Sequence, residues 1–201
     1  MHRPARPALA QGLPAPLAAL LLALLLTWLP LRADATQTVE VRGVQFATQL
    51  EESGQAYRLI GHGLFRYMIW TAYAGAYYQA PEAPEPAPLS AIPRRLELEY
   101  FHAIAADDFA AATRDSVRER LGDAAYGELL PALNAFNRAY RSVEPGDRYA
   151  LTWDGEALLL ALNGERLYRG DDPALADALF GIWLGDRPLR DDFRDALLGR
   201  R

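Results

Sequence analysis

The chain has 201 residues and a formal net charge of −5; it contains no cysteine, and all 21 of its basic residues are arginine. Without cysteine there is no disulfide, thiol nucleophile, iron–sulfur cluster or thiolate metal site. Without lysine there is no Schiff base, phosphate-loop lysine or Ser–Lys dyad.

The first 35 residues read as a secretory leader. Arg3 and Arg6 form a basic start, and Leu17 to Leu29 is a near-continuous apolar run. That run is shorter than the roughly 20 residues a membrane span needs. Ala33-Asp34-Ala35 follows as a small-residue cleavage site. The expectation is a signal peptide over 1–35, one domain over 36–201, and a periplasmic or secreted product with no stable membrane span after cleavage. No cysteine follows the site, so lipoprotein processing is not expected. Loss of the leader removes three arginines and one aspartate, which leaves the exported chain at −7. An acidic chain of this kind argues against nucleic acid as a partner and offers no polybasic patch for anionic lipid. It keeps only two histidines, His62 and His102. A three-histidine zinc site cannot be assembled, and neither a metal nor a cofactor is expected.

In chain order, Thr38 to Phe46 reads as a strand broken at Gly43, with Val39 and Val41 on one face. Glu51 to Gly54 is a turn and Gln55 to Ile60 a second strand. Gly61-His62-Gly63 then offers a bend, because glycine tolerates positive φ. Ala80 to Pro93 carries five prolines and reads as an exposed, extended connection. Arg95 to Phe101 alternates: Leu96, Leu98 and Tyr100 face one way, Glu97 and Glu99 the other, as in a half-solvated strand. Asp107 or Asp108 can cap a helix that ends near Gly122. A second helix covers roughly Ala124 to Arg141, with Pro131 kinking it or marking its start. Arg148 to Trp153, Glu156 to Leu162 and Glu165 to Arg169 form a three-stranded meander joined by Asp154-Gly155 and Asn163-Gly164, both hairpin-turn dipeptides. Pro173 starts a helix that Gly185 stops, and Asp191 to Leu198 is a last short helix. The sum is an α+β domain, an antiparallel sheet with helices on one face.

The stretch Gly61 to Tyr78, GHGLFRYMIWTAYAGAYY, holds the chemistry. Arg66 stands ahead of twelve uncharged residues, four of them tyrosines. A fixed cation beside a wall of ring faces suits an amphipathic ligand. The same pattern is also that of a buried core strand with a solvated arginine at its end.

Three segments carry a resemblance: Arg66 to Tyr78, YFHAIAADDF at Tyr100 to Phe109, and FGIWLGDRPL at Phe180 to Leu189. With the leader, they resemble bacterial chalcone isomerase-like proteins. The resemblance implies the open-faced β-sandwich of that fold, a large antiparallel sheet with helices packed on one face. It also implies where a site lies. The family's arginine matches Arg66, its strand threonine falls on Tyr73 (or Thr71, with the register moved by two), its helix tyrosine on Phe109, its asparagine on Ser116, and its late threonine near Ile182. Phe109 lacks the hydroxyl that would organise water at a substrate ketone. The resemblance is therefore closer to the non-catalytic, fatty-acid-binding branch, in which an arginine and a tyrosine hold a carboxylate. Arg66 with Tyr73 or Tyr78, Thr71 as a further hydroxyl, and Phe109 are the expected ligand contacts, with no catalytic residue.

Other candidates have plainer readings. His62 reads as an exposed turn residue, and His102 with Asp107 and Asp108 as a polar strand–helix joint. The serines lack a nucleophile-elbow motif. The expected function is binding of a small amphipathic carboxylate such as a fatty acid. The alternatives are an isomerase or lyase acting on a phenolic or enone compound through oxyanion stabilisation at Arg66, and an envelope interaction protein without a small ligand.

Overall fold

The computed structural model describes residues 37–83, 89 and 92–200. The expected leader and half of the proline-rich connection lie outside them. Strands β1 (Thr38–Val41) and β2 (Val44–Ala47) pair as a separate hairpin through Arg42-Gly43. The broken first strand is therefore two strands. Both turn residues have positive φ, which the glycine adopts without a Cβ penalty.

The main sheet has seven strands in sequence order: β3 (Gln49–Glu52), β4 (Gln55–Tyr67), β5 (Trp70–Gln79), β6 (Arg94–Tyr100), β7 (Arg148–Trp153), β8 (Leu158–Leu162) and β9 (Glu165–Gly170). Every neighbouring pair is antiparallel. Asn163-Gly164 makes the expected two-residue turn, both residues at positive φ. The loop at Asp154-Gly155 is longer than two residues. Trp153 pairs with Leu158, and the Asp154 carboxylate accepts from the backbone N–H groups of Glu156 and Ala157, turning the chain before β8 begins.

Gly61-His62-Gly63 does not reverse the chain. β4 continues through it after a bulge at Ile60, and the reversal comes at Met68-Ile69, where Tyr67 pairs with Trp70. The glycines serve packing instead. A Cβ at Gly61 would strike the carbonyl oxygen of Ala196, one at Gly63 would stand 2.7 Å from the Ala196 Cβ, and one at Gly75 2.7 Å from the Phe193 ring. Gly63 and Gly75 face each other across β4 and β5. Together the three make the trough in which the last helix lies.

Among the described residues four helices cover one face: α1 (Ala106–Leu121), α2 (Asp123–Asn137), α3 (Pro173–Leu184) and α4 (Asp191–Leu197). Neither Asp107 nor Asp108 caps α1. The cap position is Ala105, both acids sit in the first turn, and the Ser142 hydroxyl accepts from the Ala106 N–H. Pro131 lies inside α2. For α3 the start is as expected: Asp172 accepts from the N–H groups of Ala174 and Leu175, and Pro173 follows.

The sheet thus separates two apolar clusters. Under the helices lie Leu96, Leu98, Tyr100, Leu151, Leu160 and their partners on the helices. On the opposite face the β1–β2 hairpin brings Val41, Val44 and Phe46 onto Tyr57, Ala74, Ala76 and Tyr78. The alternation of β6 is as the sequence indicates, but its acidic side is not open to water. Glu97 is only 6% exposed. It pairs with Arg95 and Arg148, and Arg148 also holds Glu99.

Candidate functional site

The helices do not close fully onto the sheet. Between them lies a cavity of about 510 Å³, within the usual range for small-molecule sites. Its floor is the inward face of the sheet: Phe65, Tyr73, Leu98, Tyr100, Tyr149, Leu151. α1 contributes Asp108, Phe109, Ala112, Thr113 and Ser116, and α3 contributes Leu179, Ile182 and Trp183. Tyr67 and Leu189 stand at the exposed margin, 66% and 46% accessible.

Each wall has a sequence cause. Period-two alternation sends Tyr73 and Tyr77 of β5 inward with Gly75 between them, while Ala74, Ala76 and Tyr78 turn to the hairpin side. Phe65, Tyr73 and Tyr100 lie opposite one another on β4, β5 and β6, forming one row across the sheet. Phe65 stacks on Tyr73 at 4.6 Å, 9° from parallel, and Tyr100 meets Tyr73 edge-on at 5.4 Å. Phe109 stacks on Tyr140 and touches Tyr100 and Tyr149 edge-on. This aromatic frame keeps α1 and the segment after α2 away from the sheet.

The FGIWLG segment is explained by the same packing. Ile182 and Trp183 face the cavity, and the Trp183 Nε1–H donates to the Tyr73 hydroxyl at 2.9 Å. Gly181 leaves room for the Arg120 guanidinium, which a Cβ there would strike. Arg120 donates to the backbone carbonyls of Asp177 and Ala178 and so ties α1 to α3.

Polar groups in the cavity are few. Tyr149 is fully used: its hydroxyl accepts from the Arg141 N–H and donates to the Arg141 carbonyl, both at 2.8 Å. Thr113 and Tyr140 share one hydrogen bond of 3.0 Å. The Tyr73 oxygen accepts from Trp183, and among the described residues nothing accepts its proton. The Tyr100 hydroxyl has no hydrogen-bond partner among the described residues. Burial pushes Tyr73, Tyr100 and Tyr140 well above the ordinary phenol range, so all three stay neutral donors at working pH. Asp108 is the one charged lining residue among those described.

The expected contacts are therefore divided. Tyr73 and Phe109 line the cavity, as do Ser116 and Ile182. Arg66, Thr71 and Tyr78 do not. Arg66 follows Phe65 on β4, and simple alternation turns it to the far face; a bulge at Ala72 on β5 moves the pairing from Phe65–Tyr73 to Arg66–Thr71 and turns Thr71 there as well. There the Thr71 hydroxyl accepts from Arg42 at 2.8 Å, and Arg66 is exposed. Tyr78 is buried beneath the β1–β2 hairpin. The cavity-facing residue in register with Tyr73 is Phe65, one position before the arginine. Tyr100 was missed by sequence reasoning, although the alternation of β6 already placed it on the inward side. His62 lies within β4 and His102 beside Trp70. Among the described residues no group of histidines and carboxylates is close enough to hold a metal ion.

A family model described as chalcone isomerase-like matches residues 38–199, and the chain belongs to that family. No curated protein matches it. Among solved structures it is similar to a fatty-acid binding protein of Arabidopsis thaliana. The two share 16% identity over 82% of this chain and 97% of the other, with a TM-score of 0.64, a likeness of fold.

Proposed function

We propose that this chalcone isomerase-like protein is a non-catalytic binding protein whose cavity takes a small amphipathic carboxylic acid, such as a fatty acid. The carrying observation is the cavity itself: about 510 Å³ walled by rings and leucines, with no cation and no activated nucleophile or base among its described lining residues. Burying apolar chain there yields about 25 cal/mol per Å² removed from water. The fold shared with a plant fatty-acid binding protein supports the reading. Isomerase chemistry is less well served. Phe109 has no hydroxyl, Arg66 lies on the other face of the sheet, and the cavity phenols are held neutral by burial. The apolar run and Ala33-Asp34-Ala35 support export, so the ligand would be met outside the cytoplasm.

Native mass spectrometry of protein expressed from the full-length sequence tests both points. The expected result is a mass that begins at Thr36, with an apolar adduct that organic extraction removes and Leu98→Trp prevents. Failure of the protein to take up any C10 to C18 acid after extraction would overturn the reading.

A further inference from the structure

Resting on the binding reading above, the cavity's donors and charges specify the ligand's head group. We infer that the head group is bound uncharged, as a carbonyl oxygen that accepts from the hydroxyls of Tyr73 and Tyr100. A protonated acid, an ester or a ketone fits this site; a carboxylate anion does not.

The two phenols sit directly opposite each other on β5 and β6, their ring centroids 5.4 Å apart. Both residues are over nine-tenths buried, and both face the cavity. The Trp183 N–H fixes the Tyr73 oxygen and leaves its proton to point elsewhere, and the Tyr100 hydroxyl is unpartnered among the described residues. Two neutral donors with nothing to donate to, side by side in an apolar chamber, are complementary to one acceptor oxygen. An anion would find no support. No described lining residue is basic, and the one charge is the carboxylate of Asp108. The sheet's arginines are engaged outside the lining: Arg95 and Arg148 pair with Glu97 on the far face, and Arg94, on the helix side, pairs with Asp177. Desolvating an unpaired carboxylate favours its protonated form. The position that could supply a cation, beside Tyr73 in the same row, is occupied by Phe65.

Titration calorimetry with decanoic acid and methyl decanoate between pH 5.5 and 7.5 tests this. If only the neutral acid binds, its apparent Kd weakens about 100-fold over that range, as the neutral fraction falls, while the ester's stays constant. Tyr100→Phe is expected to weaken the ester about fivefold, the equivalent of one hydrogen bond. Phe65→Arg is expected to strengthen acid binding at pH 7.5 at least tenfold and to flatten its pH dependence. Acid affinity that is independent of pH, with no ester binding, would overturn the neutral-head inference and leave the binding reading standing. An ester affinity unchanged in both Tyr73→Phe and Tyr100→Phe would overturn the assignment of the two donors. If neither probe binds the wild-type protein at any pH, the binding reading fails and this inference fails with it.

Discussion

The two faces of the sheet use the same strands and much the same residues, yet one is hollow and the other is filled. On the hairpin side Phe46 is fully buried beneath the Arg148 guanidinium, 4.6 Å from its ring. Arg95 and Arg148 share Glu97, and Arg95 also donates to Thr152 at 3.0 Å. On the helix side the inward row is Phe65, Tyr73 and Tyr100, and space remains above it. The short, two-stranded β1–β2 hairpin settles onto small residues, Ala74 and Ala76. The helices meet rings and stop short. Side-chain size along one strand thus decides where the molecule is solid; the solid face carries the Arg95–Glu97–Arg148 network, while on the helix side Arg94 is tied to Asp177.

The largest effects are expected where the solid face is hollowed out. Phe46→Ala should cost about 3–5 kcal/mol, read as a loss of Tm, and ligand uptake by the folded fraction should persist. If uptake is lost with it, the two faces are not independent. Arg148→Ala should cost about 2 kcal/mol by denaturant titration. It leaves Glu97 buried with one partner instead of two, and the figure is discounted for the 29% exposure of the Arg148 side chain. On the hollow face two similar tyrosines should separate. Tyr149→Phe breaks two hydrogen bonds to the Arg141 backbone and should cost about 2 kcal/mol. Tyr100→Phe removes a hydroxyl that has no described partner and should change the stability of the ligand-free protein by less than about 0.5 kcal/mol.

A smaller, alkaline effect spans both faces. Burial raises Tyr73, Tyr77 and Tyr78 well above the ordinary phenol value and pushes Tyr57 up to about 12. Their neutral forms are favoured in the fold, so their contribution is fully present below pH about 10 and is lost as pH rises, because the unfolded chain ionises first. Absorbance at 295 nm should show these phenols titrating only together with unfolding.

The sequence was legible wherever local chemistry decided the outcome. Asn163-Gly164, the Asp172–Pro173 helix start and the alternation of Leu96, Leu98 and Tyr100 are each set within a few residues, and the resemblance supplied the layer order. Legibility ended where tertiary packing decided. Met68-Ile69 turns the chain without any turn residue, with both side chains exposed, so β4 and β5 read as one long stretch. Gly61 and Gly63 signalled a bend, because the helix that needs their missing Cβ atoms comes some 130 residues later. The bulge at Ala72 has no sequence signature, yet it turns Thr71 away from the ligand space; on β4 ordinary alternation gives that space to Phe65 and not to Arg66. A site argued from an arginine beside tyrosines was thus one residue out of register, while the resemblance put Tyr73 and Phe109 at positions that do line the cavity.

The most direct test of the division between the faces is intermolecular NOE spectroscopy of the protein saturated with decanoic acid at pH 5.5. Contacts are expected from the methylene chain to the ring protons of Tyr73, Tyr100 and Phe109, and none to Tyr78 or Phe46. Contacts to Tyr78 or Phe46, or binding without contacts to Tyr73 and Tyr100, would contradict it.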